Sequence, residues 1–319
     1  MHPMRLALFS LAVSAVASAG SGPWVLGEGA RNVYVGVEAQ RLTKLAIIAD
    51  GERSVVDVDE GLQTLGAKLI GTIGLTNRID IELDIPYYRV HSNSPGAVCE
   101  SLAEPEGRES CTTTSSIGII TARAKAMLVD EIVGRPLTLS VGLEARFGDF
   151  TADTRDRITN IGEGTFDAGG FLTLGRTVTL GRGYWSTSAE VGGRYRFPKT
   201  RAYASADGTT SISAPGPEFW ATMDSLFFLD SRFGFGPVAT VFTRPFGLDF
   251  GDLDLTSLDR FSALNASNVR VGGQLVFRSK ANLSMSVNVQ RVVWARNNPT
   301  DVWVAGLGVG LYMPQREDD

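Results

Sequence analysis

From Leu137 to Gly148 the chain reads Leu-Thr-Leu-Ser-Val-Gly-Leu-Glu-Ala-Arg-Phe-Gly, apolar and polar residues in turn. Side chains of a β-strand leave opposite faces with a period of two. Leu137, Leu139, Val141, Leu143, Ala145 and Phe147 therefore share one face, and Thr138, Ser140, Gly142, Glu144, Arg146 and Gly148 the other. A run of about 9–11 such residues is what a tilted strand needs to cross a membrane. Lipid offers no partner to backbone N–H and C=O groups, so only helices and closed barrels span it. Because the alternation returns again and again, it predicts an all-β fold: a transmembrane, antiparallel, up-and-down β-barrel. A mean hydropathy near neutral agrees, since apolar and polar positions cancel along such strands.

The first residues read as a leader. Met1 to Arg5 carries a positive charge, Leu6 to Val16 is apolar, and Ala17-Ser18-Ala19 supplies the small residues of a cleavage site before Gly20. No cysteine follows that point to be lipidated, and no other segment approaches the ~20 apolar residues of a spanning helix. The expected organisation is a signal peptide at 1–19, a short periplasmic segment at 20–31, the barrel at 32–313 and a periplasmic tail at 314–319. The expected location is the bacterial outer membrane. The partners there are its lipid and lipopolysaccharide, the barrel-assembly machinery and small-molecule solutes. The formal charge of −5 becomes one unit more negative once Arg5 leaves with the leader. With no basic stripe bearing interleaved aromatics, that charge argues against nucleic acid.

Alternating segments fall at 32–42, 62–75, 79–89, 116–129, 137–148 and 165–176, then at 185–197, 217–228, 234–243, 267–278, 283–293 and 302–313. An even number of strands is usual for single-chain bacterial barrels. The gaps at 76–78, 130–136, 177–184, 229–233 and 279–282 are short, whereas those at 43–61, 90–115, 149–164, 198–216 and 244–266 are long and polar. The last outer gap, 294–301, is shorter than its counterparts. Short periplasmic turns against long extracellular loops match this class and put both termini on the periplasmic side. Strands 8 and 9 are the least regular, at Phe227-Phe228 and Gly236-Pro237. Aromatic residues gather near strand ends, Tyr87, Phe147, Tyr195, Phe197 and Phe219 outside, Trp185, Phe227, Phe235 and Tyr312 at the periplasmic end, as interface girdles do. Cys99 and Cys111 share one loop, and in an oxidising compartment they are expected to form a disulfide; C-x-x-C redox spacing is absent.

With the apolar face outward, the inward acids are Glu38, Asp80, Glu82, Asp84, Glu144, Asp167, Glu190 and Asp224. The inward bases are Lys68, Arg123, Lys125, Arg146, Arg194, Arg196, Arg270 and Arg278. Asp80, Glu82 and Asp84 make one acidic wall, and the strands after it are loaded with cations. Opposed walls of this kind across a wet pore would impose a transverse field on passing solutes. The competing arrangement is a closed core in which the charges pair, with Lys68 diagonal to Asp84 and Arg123 opposite Glu144.

Catalysis is poorly supported. His91 is the one histidine after the leader, and its neighbour Ser92 points to the opposite face of the strand, so the two do not form a nucleophile–base pair. No cofactor or metal is expected. Asp249, Asp252, Asp254 and Asp259 lie in one loop but lack the calcium-loop spacing. Gly306, Gly308 and Gly310 sit on the lumen face of the last strand, where they are expected to leave room inside the barrel.

Three stretches carry a family resemblance: Gly22-Pro-Trp-Val-Leu-Gly-Glu-Gly, the run from Gly74 through Asn77-Arg-Ile-Asp-Ile-Glu-Leu-Asp-Ile-Pro-Tyr-Tyr88, and Arg146-Phe-Gly-Asp-Phe. In their rhythm of strand, turn and proline-aromatic strand exit they resemble a family of outer-membrane transporters named after the MetA pathway of phenol degradation. The resemblance covers much of the barrel and carries over no binding residues. It implies passage of small, hydrophobic or aromatic compounds. Fatty-acid channels of related logic carry an N-terminal plug; here only 20–31 precedes the first strand, so a substantial hatch domain is not expected. Gly306, Gly308, Leu311 and Met313, with Tyr312, loosely follow the assembly signal of outer-membrane proteins. The reading is a porin-like, non-enzymatic channel for passive passage of small solutes. The alternative is a closed structural barrel whose extracellular loops mediate adhesion or surface recognition.

Overall fold

The computed structural model describes residues 22–92, 113–148, 165–197, 203–204, 210–211, 216–230, 232–247, 249 and 264–315. Among these, twelve strands form one closed antiparallel barrel. They are β1 Arg31–Ala49, β2 Glu52–Thr76, β3 Ile79–Ser92, β4 in two pieces, Thr113–Ile117 and Ile120–Val129, β5 Thr138–Phe147 and β6 Phe166–Leu180. The second half holds β7 Gly183–Phe197, β8 Glu218–Phe228, β9 Phe233–Thr243, β10 Ser267–Arg278, β11 Leu283–Arg296 and β12 Trp303–Met313. Each strand pairs with its sequence neighbours, and β1 pairs with both β2 and β12, which leaves the sheet without an edge. The one helical piece among the described residues is a 3-10 turn at Glu131–Val133, capped by the Asp130 side chain. No described helix is long and apolar enough to cross a membrane.

The faces sort as period two requires. Val33, Val35 and Val37 on β1, Leu172 and Leu174 on β6, and Leu307, Val309 and Leu311 on β12 all present their side chains on the outside. Glutamates, arginines and amides of the same strands turn inward. On the outer face Phe166 joins Phe147 at 5.4 Å and Phe197 at 5.6 Å, and Phe227 meets Phe235 at 5.8 Å. Tyr312 departs from the expected girdle: its register sets it on the inner face, where it lines an internal chamber.

Several expected gaps are strand. Residues 43–61 are not an open loop. β1 and β2 run on beyond a bulge at Leu42/Lys44 and turn at Asp50-Gly51, whose φ values of 53° and 78° are those of a two-residue hairpin turn. Residues 177–184 likewise collapse to a two-residue turn between the paired Leu180 and Gly183. β4 breaks where it faces Pro86. Between the pairs Asp84–Thr121 and Tyr87–Ile117, β3 advances three residues and β4 four, and the Gly118 N–H reaches the Pro86 carbonyl at 2.7 Å. The irregular β8–β9 seam keeps one register from Asp224–Val238 to Phe227–Phe235, skipping the stretch where Pro237 has no N–H to give.

The β1–β2 hairpin leans over the outer end. Leu45 and Ala46 pair with Pro299 and Asn298, the Arg53 Nε–H donates to the Ala295 carbonyl at 2.9 Å, and the Ile48 N–H donates to Asn297 Oδ1 at 2.8 Å. Asp301 in the β11–β12 loop accepts from Arg291 Nε at 2.8 Å and Lys44 Nζ at 3.4 Å. Those bonds, Arg291 first, hold its carboxyl below the ordinary carboxylate range. A depressed folded value means the clamp is complete at neutral pH and lost as pH falls through it. Limited proteolysis should therefore cut the hairpin faster in acid than at neutral pH, and the Asp301→Asn variant should cut fast at both.

Gly308 and Gly310 of β12 do not leave open space. A Cβ on Gly308 would stand 1.8 Å from the Tyr34 hydroxyl, whose ring fills the inner face beside it. We expect Gly308→Ala to fold in lower yield, at a cost of about 1–3 kcal/mol. The added Tyr34→Ala change should restore folding, as read from heat-modifiable mobility on a gel.

Candidate functional site

The lumen divides lengthwise into two unlike halves. Strands β4 to β8 carry the first. Cross-strand register alone sets Arg123 opposite Glu82 and Glu144, Asp167 opposite Arg146 and Arg196, and Arg194 opposite Glu218. Longer contacts then reach across the bore. Arg123 Nη2 lies 2.6 Å from Glu190 on β7, Arg194 Nη1 lies 2.8 Å from Glu144 on β5, and Arg146 Nη1 lies 3.3 Å from Glu218 on β8. Glu218 is the hub. Its carboxylate, 1 % exposed, accepts from Arg194 and Arg146, from Arg244 at 2.6 Å, and faces Arg196 at 3.5 Å. The guanidinium of Arg123 lies 3.9 Å over Phe171, and that of Arg194 lies 5.0 Å over Trp220, whose indole N–H donates to Glu190 at 2.8 Å. Charge-assisted bonds and ring contacts are what make so many buried charges tolerable.

This geometry replaces the expected pair of opposed walls. Asp80 and Glu82 sit beside the bases of the adjoining strand, with Lys125 3.5 Å from Asp80, and are not set against them across a gap. Two residues the sequence reading left out, Glu218 and Arg244, hold the network together. Glu218 stands at the first position of β8, yet its inward face follows from the same parity as Trp220.

The second half is lined by β1 to β3 and β10 to β12; there the Tyr34 and Ser286 hydroxyls lie 3.4 Å apart and Thr72 donates to Glu82 at 3.5 Å. Glu38 Oε1, Gln40 Nε2, Thr64 Oγ1, Asp84 Oδ1, Arg270 Nε and Asn288 Oδ1 are buried with no hydrogen-bond partner among the described residues. Lys68 lies 5.6 Å over the Tyr34 ring. Thr173 Oγ1 and Glu190 Oε2 of the first half are buried and unbonded in the same way, so such atoms line both sides of the lumen. At its outer end the second half carries an apolar cluster of Leu42, Leu62, Val90, Val292 and Val304 with Ala46 of the β1–β2 hairpin. At the other end it opens into a chamber of about 680 Å³ lined by Asp80, Asp224, Gln274, Phe228, Leu226 and Trp24 among others.

Residues 22–30 are not a lead outside the barrel. They turn into its short-turn end. Lys125 Nζ donates to the carbonyls of Gly22 at 3.0 Å and Trp24 at 2.8 Å, Ser140 donates to that of Pro23, and the Trp24 indole donates to Glu131 at 3.0 Å. Gly29 and Ala30 bond to the backbone of Gly74, at 2.9 Å each.

The remaining candidates are placed as follows. Asp224 accepts from Ser188 at 2.6 Å, and Arg278 donates to the Tyr184 hydroxyl at 2.8 Å in the chamber mouth. His91 Nδ1 lies 2.7 Å from Thr113 Oγ1, a pairing within the β3–β4 hairpin. Both Asp249 oxygens face Arg296 Nη2, at 2.9 and 3.0 Å, which uses that carboxylate in an ion pair; Asp252, Asp254 and Asp259 lie outside the described residues. Cys99 and Cys111 also lie outside them. No cluster of metal-ligand type occurs among the described residues.

A closed twelve-stranded barrel with an apolar outside and a charged inside is the fold of an outer-membrane β-barrel. Among solved structures the chain is similar to the COG4313 outer membrane channel from Pseudomonas putida F1, with 15% identity, 94% of this chain and 100% of that chain covered, and a TM-score of 0.67. More distant likenesses include the NanC porin, at 8% identity over 88% of this chain and 100% of that one with a TM-score of 0.46. The TodX monoaromatic hydrocarbon channel, as a deltaS2S3 mutant, is at 10% identity over 92% and 93% with a TM-score of 0.41. No protein-family model and no curated protein matches the sequence. The outer-membrane barrel implied by the sequence resemblance is the fold found.

Removing the hub should be costly. Glu218→Gln leaves Arg146, Arg194, Arg196 and Arg244 facing a neutral amide in a buried site. The expected loss is about 3–5 kcal/mol, read as a lower urea midpoint for the barrel in lipid vesicles.

Proposed function

We propose that the protein is a bacterial outer-membrane channel for passive passage of small solutes, without enzymatic activity. The observation that carries this reading is the chamber of about 680 Å³ inside the barrel, lined by polar groups that include Asp80, Asp224, Gln274 and Arg278. The apolar cluster at the outer end favours solutes with a hydrophobic or aromatic body. The leader directs export, the lipid-facing strands seat the chain in the outer membrane with its lipid and lipopolysaccharide, and the last strand addresses the barrel-assembly machinery. Cys99 and Cys111 close the β3–β4 loop as a disulfide.

The second reading, a closed barrel whose loops mediate adhesion or surface recognition, draws on the β1–β2 hairpin over one end and residues 22–30 within the other. Single-channel recording in a planar bilayer separates the two. We expect small discrete openings from the refolded protein, and larger ones when residues 20–27 are deleted. Silence from both, with the barrel shown to be folded, would leave the closed-barrel reading.

A further inference from the structure

On the outside of the barrel, near the long-loop end, cross-strand register sets five residues of neighbouring strands in one row: Arg291 on β11, Trp303 on β12, Arg41 on β1, Gln63 on β2 and His91 on β3. Arg291 pairs with Trp303, Arg41 with Gln63, and Gln63 with His91. The pairs Gln40–Val304 and Leu45–Pro299 share one register, which brings Trp303 level with Arg41. Arg89 stands one outward position below His91, opposite Leu65. Beneath the row the same face continues into lipid-facing Val289, Ala39 and Leu65, then Leu307, Val37 and Tyr87, and no acid occurs at any of these positions.

Three guanidinium groups therefore stand at the upper border of the apolar belt within five adjacent strands. Arg291 is engaged by Asp301 and lies 5.5 Å over the Trp303 ring. Arg41 and Arg89 are exposed and form no hydrogen bond or ion pair among the described residues. The opposite side of the barrel ends differently: there Phe147, Phe166, Phe197 and Phe219 face out at the same end, as an interface girdle does. An arginine at the border of hydrocarbon lays its stem along the apolar surface and extends its head to the headgroup layer. What its planar fork of N–H groups matches there is phosphate.

We propose that Arg41, Arg89, Arg291 and Trp303 form a docking site for a phosphorylated glycolipid of the outer leaflet, the lipid A portion of lipopolysaccharide. Its phosphates lie on the arginines, a sugar ring on the exposed indole between Arg291 and Arg41, and its acyl chains along Val37, Leu65 and Leu307. This site rests on the outer-membrane reading, with the long loops at the outer surface.

The test titrates the full mature barrel in detergent with three lipids, followed by native mass spectrometry: bisphosphorylated lipid A, the same lipid fully dephosphorylated, and phosphatidylglycerol. Bisphosphorylated lipid A should bind at least about tenfold more tightly than the other two, and the Arg41→Gln, Arg89→Gln double variant should lose that preference. Neither change strands a bonded partner, so the variant should fold, as heat-modifiable mobility on a gel will show. Arg176→Gln, outward on β6 at the short-turn end, should bind like the parent protein. Equal binding of dephosphorylated lipid A would overturn the proposal, equal binding of phosphatidylglycerol would replace it with a general anionic-lipid contact, and indifference to the double variant would overturn the placement. A barrel that fractionates away from the outer membrane yet selects lipid A when purified would refute the outer-membrane reading and leave the glycolipid site standing. A barrel that fractionates with the outer membrane without selecting lipid A would refute the site alone.

Discussion

Every feature of this protein depends on one demand of the bilayer: backbone N–H and C=O groups must find partners within the chain. The sheet therefore closes, and closure fixes which residues meet lipid. Valines, leucines and phenylalanines take the outer positions, so each charge carried by a spanning strand is driven inward. The interior of a barrel this narrow then holds more ionised groups than most protein cores ever bury. Its internal order is the solution to that crowding.

Two solutions coexist side by side. From β4 to β8, arginines and carboxylates pair along the wall and across the bore, with Glu218 as their common acceptor. Long, planar guanidinium groups suit this because one arginine can contact two acids on different strands. From β10 round to β3 the contacts are looser, Tyr34 to Ser286 at 3.4 Å and Thr72 to Glu82 at 3.5 Å, with Lys68 over the Tyr34 ring. The result is a lumen whose one side is laced by ion pairs and whose other side is polar with fewer charge pairs. Apolar residues stand above it, and a chamber lies below.

Much of this was legible in the chain. Alternation fixes the face of each residue, and turn residues fix the strand count, so the barrel and the inward charges follow directly from the sequence. Asp50-Gly51 also carried a hairpin signal, masked by the charged residues Glu52, Arg53 and Asp57 around it. Parity does not say how far a side chain reaches or which strand lies across the bore. The contacts Arg123–Glu190 and Arg146–Glu218 join strands three apart and depend on the curvature of the closed sheet. Glu218 was hidden by its place at a strand end, Tyr312 by the habit of reading terminal aromatics as girdle. The path of residues 22–30 was hidden for a different reason: the groups that hold it are mostly main chain.

That last point concerns tolerance. Lys125 and Ser140 grasp the carbonyl oxygens of Gly22, Pro23 and Trp24, which any amino acid would supply. Apart from the Trp24 indole on Glu131, the barrel registers the course of this segment and not its lettering. The sequence of the inner segment is thus free to drift while its anchorage stays put, so the mouth of the barrel can be re-lined without rebuilding the wall.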